Sequence, residues 1–402
     1  MPAARTVVSE ERALLQQALR LARRGDGAVS PNPLVGALVV KGGKIIGRGY
    51  HRRCGGPHAE VYALRQAGTA ARGATLIVTL EPCNHYGRTP PCTEAILQAG
   101  IARVVVGMRD PHPLMNGKSL QRLAAAGIEV AVAVDPRPFQ ELNRIFIKYV
   151  TQRTAYCIVK VGQSLDGKIA TAGGDSQWIT GDRSRAYVQQ LRRRVDAVMV
   201  GINTVLADNP RLSCRLRPRR AAHKPVKIII DPRLRTPVAA GIFSAESPAP
   251  VLVVTRPDYS RKKAAILAAR GAKVIACPLL PDRRSLNLQV LARELAAREI
   301  SSVLVEGGGG LIGSCFDQQI VDEVYFFIAP MIIGGRQAVS AVAGRGSEQL
   351  NGAIRLSDIR FRRVGEDFLM RAMVQYPPER HAINPPVRTR RAAAGPRIGG
   401  GR

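Results

Sequence analysis

Three potential metal ligands and one carboxylate occur at a spacing that favours zinc chemistry. His58 is followed two residues later by Glu60, and Cys83, which comes after a proline, is followed by Cys92. One imidazole and two thiolates supply three ligands of a tetrahedral zinc and leave the fourth position for water. The Glu60 carboxylate is placed to move protons for that water without binding the metal. His-x-Glu with a later Pro-Cys is typical of zinc-dependent base deaminases.

The gap between the two cysteines is longer than in most such sites. Eight residues, 84–91, separate Cys83 from Cys92, whereas two are usual. A structural zinc site is an alternative, but such a site normally has four protein ligands. Cys54, four residues before His58, is the rival ligand. The other cysteines are predicted to be buried or incidental thiols, namely Cys157, Cys214, Cys277 and Cys315.

The composition is that of a globular protein with a large excess of positive charge. The chain has 402 residues, enough for two or more domains, and 46% of them are hydrophobic. Its net charge of +30 is compatible with nucleic-acid binding. The charge is diffuse, however, and aromatic residues amount to only 4%, which is low for a base-stacking surface. We therefore expect phosphorylated small molecules rather than nucleic acid as partners.

Nothing in the sequence predicts a membrane or secreted protein. No apolar run approaches the roughly 20 residues that a membrane-spanning helix needs. The first ten residues lack the apolar stretch of a signal peptide. Seven cysteines, an odd number in a long chain, do not suggest a disulfide framework. We expect a cytoplasmic protein.

Helix and strand patterns alternate along the chain and predict two α/β regions. In the first region Ser9 is predicted to cap a helix, His58 to open another, and Cys92 to lie in the first turn of a third. The predicted strands of this region are 34–40, 44–49, 75–80, 103–106 and 128–134. After a linker at 135–154, the predicted strands are 157–161, 197–200, 226–230, 251–254, 274–276, 303–305 and 324–328.

A glycine run in the second region has the spacing of a nucleotide-binding turn. Gly308 to Gly313 fits G-x-G-x-x-G, follows a predicted strand and opens a helix, where free N–H groups can bind a cofactor phosphate. A Rossmann domain is disfavoured, because no acidic residue ends a strand about 20 residues further on. A non-Rossmann nucleotide site is the better interpretation.

Several motifs together resemble one enzyme family. They are Pro31-Asn32-Pro33-Leu34-Val35-Gly36, Gly56-Pro57-His58-Ala59-Glu60, and the run from Thr79 to Cys92. In order, from residue 9 to about 375, the chain is similar to the bifunctional deaminase–reductase family of riboflavin biosynthesis, whose deaminase half has the same long cysteine gap. The resemblance implies an α/β fold, with a cytidine-deaminase-like α/β/α layered domain in 1–150. A dihydrofolate-reductase-like α/β domain would occupy 151–376, and a basic, disordered tail 377–402.

The resemblance also implies the first reaction and its residues. This is hydrolytic deamination of 2,5-diamino-6-ribosylamino-4(3H)-pyrimidinone 5′-phosphate. One zinc ion per chain would be held by His58, Cys83 and Cys92, with Glu60 as the catalytic proton shuttle. The residues implied near the deaminase substrate are Asn32, His51, His85, Arg88 and Asp110.

The second implied reaction is NADPH-dependent reduction of the ribosyl group to ribityl, which gives 5-amino-6-ribitylamino-uracil 5′-phosphate. The residues implied to contact NADPH are Gly162, Trp178, Thr204, Asp208, Gly308, Gly309, Gly310, Leu311, Ile312, Gly313 and Ser314. Those implied to contact the second substrate are Ser176, Arg192, Leu212, Arg215 and Glu306. We also expect a homo-oligomer.

Some alternatives stay open at this point. A nucleic-acid-acting deaminase with a basic arm is one, and a catalytically inactive second domain is another. Trp178, the single tryptophan, could be a core anchor, and Arg192 could be a solvated surface charge. The chain also has His112 where the family usually has asparagine.

Overall fold

Two separate β-sheets organise the chain. The computed structural model describes residues 7–86, 90–113, 115–214, 224–244, 248–283 and 285–378. A five-stranded sheet is built from residues 36–132 and a nine-stranded sheet from residues 156–375. The predicted tail lies outside the described residues from 379 onward.

The first sheet is mixed, with strand order β2-β1-β3-β4-β5. Its strands are β1 (Gly36–Lys41), β2 (Lys44–Tyr50), β3 (Thr75–Val78), β4 (Arg103–Val106) and β5 (Glu129–Val132). β1 is antiparallel to both neighbours, whereas β3, β4 and β5 are parallel. The helices are α1 (Ser9–Ala22), α2 (Ala59–Ala67), α3 (Cys92–Gln98) and α4 (Lys118–Ala125).

The start of α1 differs by one residue from the sequence expectation. Val8, and not Ser9, is the residue before the first helical one. The Glu11 carboxylate accepts the Val8 backbone N–H at 3.1 Å. A carboxylate in the first helical turn therefore accepts a backbone N–H at the start of the helix. The sequence had predicted that the Ser9 hydroxyl would cap this end.

Two short helices, α5 (Arg137–Leu142) and α6 (Arg144–Gln152), connect the two sheets. Phe139 is buried in the core under the first sheet, so α5 packs with that region. From α6, Lys148 reaches across to the Asp322 carboxylate, with a nitrogen–oxygen distance of 2.6 Å. The linker is therefore held at both ends.

The second sheet has the strand order β11-β10-β9-β8-β12-β6-β13-β16-β15. Its strands are β6 (Tyr156–Ser164), β8 (Ala197–Gly201), β9 (Val226–Ile230), β10 (Val251–Thr255), β11 (Ala272–Ala276), β12 (Ser302–Val305), β13 (Val321–Ala329), β15 (Arg355–Val364) and β16 (Asp367–Gln375). A separate antiparallel pair joins β7 (Lys168–Ala170) to β14 (Val339–Ser340). The helices are α7 (Asp182–Arg194), α8 (Ile202–Asp208), α9 (Arg261–Ala269), α10 (Leu288–Ala297) and α11 (Gly309–Asp317).

Every strand predicted between residues 157 and 328 is present. These strands are parallel, and the inner ones are covered on both faces, so they are largely apolar runs, as in Ile228 and Ile229, which are fully buried. The hairpin of β15 and β16 was not predicted. Most side chains of β15 are exposed and many are charged, so this edge strand has no apolar run to detect.

No helix in the described ranges combines the length and the apolar character that crossing a bilayer requires.

Candidate active sites

The three predicted zinc ligands converge although they lie on three different elements. His58 is the residue before α2, Cys83 follows β3, and Cys92 is the first residue of α3. The His58 Nδ1 atom lies 3.2 Å from Cys92 Sγ and 3.4 Å from Cys83 Sγ. Ligand atoms around a tetrahedral zinc are about 3.5 Å apart, so this donor set fits the ion. Among the described residues, these three form the one cluster of histidine, cysteine or acidic side chains whose ligand atoms are close enough to bind a metal ion. Cys54 does not belong to it.

Close packing of α2 on β2 holds His58 and Glu60 in place. A β-carbon at Gly49 would lie 2.0 Å from the Ala59 carbonyl oxygen, and one at Gly47 would lie 2.2 Å from that of Ala63. Only glycine permits this approach of helix and strand backbones. The start of α2 is therefore fixed against the sheet.

Glu60 is a buried carboxylate beside the three ligands. It is 3% exposed, and its Oε2 atom has no hydrogen-bond partner among the described residues. Burial raises the pKa of this carboxyl above its ordinary value. A buried carboxylate oxygen without a partner is costly for folding, and such groups are most common at functional sites.

The surroundings favour a thiolate at Cys83. The hydrogen bond from the Cys92 thiol and the nearby His58 imidazole hold the pKa of Cys83 below its usual range, although burial opposes them. The Cys92 backbone N–H also donates to Cys83 Sγ at 3.2 Å. The thiolate is the form of cysteine that binds metal.

Asn32 and His51 lie next to the ligand set. The His51 Nδ1 atom is 3.1 Å from the Pro57 carbonyl oxygen, so this nitrogen carries the proton and donates. The other ring nitrogen, 3.1 Å from Asn32 Nδ2, is then the acceptor. Burial lowers the pKa of His51, consistent with this neutral form. The Asn32 side-chain oxygen is thereby directed away from the His51 ring.

Glu81 organises the loop that carries Asp110, a role that the sequence analysis did not detect. Its buried carboxylate accepts backbone N–H groups of Asp110, Gly117 and Ser119 at 2.9–3.3 Å, and also the Ser119 hydroxyl at 2.8 Å. The Glu-Pro-Cys sequence was the available signal, since it places this acid two residues before a ligand.

Asp110 and His112 share this loop. The Asp110 Oδ1 atom accepts the His112 backbone N–H at 2.8 Å. Burial raises the pKa of Asp110 to about 6. His85 lies on the neighbouring segment, with its Nδ1 atom 3.3 Å from Met115 Sδ. Arg88 lies outside the described residues.

In the second region a buried carboxylate is paired with two cations. Glu306, which follows β12, accepts Arg192 Nε at 2.6 Å and Nη2 at 3.0 Å, and Lys160 Nζ is 3.1 Å from it. Burial alone would raise the pKa of Glu306, but the two cations outweigh it and lower the pKa to about 2. The Arg192 side chain is only 13% exposed and is paired with Glu306, so it is not a solvated surface charge.

A cavity of about 540 Å³ opens between α8, the glycine turn and β7. Predicted cofactor residues that line it are Thr204, Asp208, Gly308, Gly309, Gly310, Leu311 and Ser314, together with the predicted substrate residue Ser176. Lining residues that the sequence analysis missed include Asn203, Pro232, Ser285, Leu286 and Val339. They come from helix α8, strand β14 and two loop segments, and they share no motif.

The other predicted residues of this region do not line that cavity. Ile312 is 1% exposed in the core, and a β-carbon at Gly313 would lie 1.9 Å from the Ala343 carbonyl oxygen. Leu212 is likewise buried. Gly162 lies on β6 facing Thr180. Arg215 falls outside the described residues.

Trp178 is not a core anchor. Its side chain is 67% exposed, and the Arg185 guanidinium stacks over its ring at 4.5 Å from the centroid. An exposed indole held by an arginine is available to a ligand.

Comparison with known proteins assigns each half of the chain to a domain family. Residues 8–108 match the cytidine and deoxycytidylate deaminase zinc-binding region, and residues 155–370 match the RibD C-terminal domain. Riboflavin biosynthesis protein RibD from Aquifex aeolicus is 43% identical over 356 residues, which are 89% of this chain and 96% of that protein.

Solved structures are similar over almost the whole length. RibD from Acinetobacter baumannii has a TM-score of 0.80 at 36% identity, covering 91% of this chain and 99% of that one. A Thermotoga maritima structure is described as a diaminohydroxyphosphoribosylaminopyrimidine deaminase/5-amino-6-(5-phosphoribosylamino)uracil reductase. It has a TM-score of 0.76 at 35% identity and covers 90% of this chain and 98% of that one.

The fold and the sites thus define a zinc-dependent deaminase joined to an NADPH-dependent reductase. The predicted fold class, cytidine-deaminase-like followed by dihydrofolate-reductase-like, is confirmed. The chain belongs to the RibD family of riboflavin biosynthesis proteins. It is therefore an enzyme with hydrolase and oxidoreductase activities, and a nucleic-acid-acting deaminase is not favoured.

Proposed function

We propose that the chain deaminates 2,5-diamino-6-ribosylamino-4(3H)-pyrimidinone 5′-phosphate and then reduces its ribosyl group with NADPH to a ribityl chain. The observation that carries the proposal is the convergence of His58, Cys83 and Cys92 beside the buried Glu60 carboxylate. The domain limits are 1–150 for the deaminase and 151–376 for the reductase.

In the first step His58, Cys83 and Cys92 hold zinc. A zinc ion held by these residues would supply a water of lowered pKa for attack on the pyrimidine carbon. Glu60 Oε2 takes the proton of the attacking water and returns it to the departing amine, a role that suits a carboxylate with a raised pKa. Water adds and ammonia leaves, so no oxidant is required.

The remaining residues of this site orient the substrate. The Asn32 carbonyl oxygen, directed away from His51, accepts a hydrogen bond from the pyrimidine. Asp110 lies on a loop that Glu81 holds by accepting the Asp110 backbone N–H. We assign it to the same substrate-binding set. His85 and Arg88 come from the long cysteine gap and meet the ribose phosphate, for which arginine is well suited.

For the second step NADPH would supply the hydride that reduces C1′ of the ribose. Thr204, Asp208 and the glycine turn, which line the cavity of about 540 Å³, would hold the cofactor there. Gly162, Trp178, Leu311, Ile312, Gly313 and Ser314 complete the proposed cofactor set. The cofactor carries the redox chemistry, and the chain orients it.

The substrate of the second step lies beside Glu306. The Glu306 carboxylate stays ionised because its pKa is about 2, and it accepts hydrogen bonds from the sugar hydroxyls. Arg192 and Lys160 keep that carboxylate in place. Ser176, Leu212 and Arg215 complete the proposed substrate set.

A coupled assay tests the proposal. Wild-type protein, the diaminopyrimidine phosphate and NADPH should yield ammonia first and NADPH oxidation afterwards. Glu60→Gln should retain zinc and lose deamination by about 10²- to 10⁴-fold, yet oxidise NADPH normally when the deaminated product is supplied. Release of ammonia without any NADPH oxidation would mean that the second domain is inactive.

The cytoplasm is the proposed location, and a homo-oligomer the proposed state. None of the seven cysteines, all within the described ranges, forms a disulfide, which suits a reducing compartment. The exposed apolar side chains of Ile359, Phe361 and Phe368 on the edge hairpin support self-association. Sedimentation of the purified protein tests the oligomer.

A further inference from the structure

The loop that carries Asn32 touches the ligand set on one side. The side-chain nitrogen of Asn32 contacts His51, and the His51 ring packs edge-on against His58 with 5.3 Å between the ring centroids. A shift of this loop would therefore move Asn32 relative to the proposed zinc ligands. What holds the loop in place thus matters for the first site.

One anchor of the loop is a carboxylate of the reductase domain. The Ser30 hydroxyl donates to Asp196 Oδ2 at 2.8 Å. Asp196 is 8% exposed, and the same oxygen accepts the backbone N–H groups of Ser301 and Ser302 at 2.9 and 3.0 Å. These bonds fix the carboxylate, so Ser30 is attached to a rigid acceptor.

A second anchor is the last turn of α7. The Arg194 Nε atom is 2.8 Å from Asp26 Oδ2. Gly27 has a φ of +77°, and a β-carbon there would lie 2.4 Å from the Arg193 carbonyl oxygen. The loop backbone therefore lies directly on the helix backbone, which only glycine permits at this position.

The same turn of α7 also belongs to the second site. Arg192, two residues before Arg194, is bound to Glu306 through two hydrogen bonds. The turn thus contacts Glu306 on one side and the Asn32 loop on the other.

The cavity between the loop and the reductase domain is small. It measures about 60 Å³, and its lining includes Ser30, Asn32 and Asp196. Ligand pockets for small molecules usually measure about 300 Å³ or more, so a pyrimidine nucleotide does not fit in this cavity. We therefore consider this contact as one that positions the loop.

We propose that Ser30, Asp196 and Arg194 are positioning residues for the deaminase: the reductase domain holds the Asn32 loop in its substrate-binding place. The deaminase half then depends on the reductase half for substrate affinity and not for zinc. This inference rests on the proposed deaminase activity. It assigns the interdomain contact a role in the first reaction.

The test compares Ser30→Ala, Arg194→Gln and the double variant with wild type. Steady-state kinetics of both reactions, zinc content and thermal unfolding are measured on the full chain. The double variant should show a deaminase KM raised about tenfold, as expected for losing one or two hydrogen bonds. Its deaminase kcat, zinc content and reductase kinetics should stay near wild type. Ser30→Thr keeps the hydroxyl and should restore the wild-type KM.

Arg360→Gln is the matched control. Arg360 and Glu141 form an ion pair at 2.8 Å that also joins the two regions but does not involve the Asn32 loop. Both side chains are largely exposed, so its loss should leave all parameters unchanged. A wild-type deaminase KM in the double variant would overturn the inference, as would a parallel fall of both activities with the unfolding temperature. If wild type itself fails to deaminate, the proposed function is wrong instead.

Discussion

Arg192 and Glu306 form a buried ion pair in which two guanidinium nitrogens meet the two carboxylate oxygens, at 2.6 and 3.0 Å. Lys160 adds a second cation at 3.1 Å. The carboxylate, on the strand-to-glycine turn, is thereby tied to α7 and to β6. The pair joins three elements of the reductase site and has a measurable consequence for stability.

The first prediction concerns the pH dependence of that stability. The pKa of Glu306 is about 2 when folded, against 4.5 for an ordinary glutamate. Its ionisation stabilises the fold above pH 4.5, and this contribution is lost as the pH falls toward 2. Glu306→Gln should cost about 3 kcal/mol at pH 7 and less than half of that at pH 3, by urea unfolding. The exposed Glu366→Gln is the control and should cost almost nothing at either pH. An equal cost of Glu306→Gln at both values would contradict the prediction.

The second prediction separates the zinc ligands from their rival. Cys92 is fully buried at the start of α3 with the other donors, whereas Cys54 is not in the group. Cys92→Ser should lose most of the zinc measured by metal analysis, because an alcohol binds zinc far less well than a thiolate. Its reductase activity with supplied product should persist. Cys54→Ser should keep its zinc. Loss of zinc in Cys54→Ser but not in Cys92→Ser would make Cys54 the ligand and would contradict the prediction.

The third prediction concerns Glu81. Its carboxylate accepts three backbone N–H groups, and an amide at this position would point a donor at another donor. Glu81→Gln should cost about 2 kcal/mol of folding free energy and raise the deaminase KM, since the loop carrying Asp110 loosens. Glu94→Gln, which breaks a partly exposed ion pair with Arg122, should cost less than about 1 kcal/mol. Equal losses of folding free energy in the two variants would show that Glu81 does not stabilise the Asp110 loop more than a partly exposed ion pair would.

The fourth prediction tests Trp178 as a cofactor contact. Because the indole is exposed, Trp178→Ala should leave thermal unfolding unchanged. Its KM for NADPH should rise about tenfold if the ring packs on the cofactor. Phe361 is exposed to a similar extent, 66%, but lies on the edge hairpin. Phe361→Ala is therefore the control, and a KM that changes equally in both variants would rule out the contact.

The fifth prediction concerns His112. This residue lies in the loop organised by Glu81, and its backbone N–H is bound by Asp110. Burial lowers the pKa of its imidazole, so it is mainly neutral at neutral pH. His112→Asn, the usual family residue, should lower the deaminase KM severalfold at pH 7.5 if the side chain meets the phosphate. An unchanged KM would show that the side chain does not contact the substrate.

The zinc site was the part most accessible from sequence. His58 and Glu60 are two residues apart at the start of a helix. Cys83 and Cys92 lie at the two ends of the segment 84–91. Local geometry therefore limits the directions of all four side chains. Most strands of both sheets were also predictable, because burial on both faces demands apolar runs. The glycine turn was recognised, but its spacing did not reveal that Gly309 and Gly313 allow α11 to approach residues 340 and 343.

Sequence by itself determined the class of enzyme, the order of the two halves and the chemistry of the first site. Tertiary structure alone decided which distant residues support that chemistry. Asp196 contacts Ser30 across 166 positions of the chain, and Glu81 contacts Ser119 across 38. No periodicity or motif encodes such pairs, because the fold brings them together through contacts made by many other residues. The edge strand β15 escaped prediction for a related reason: most of its side chains are exposed and many are charged, so its place beside β16 leaves no apolar run in the sequence.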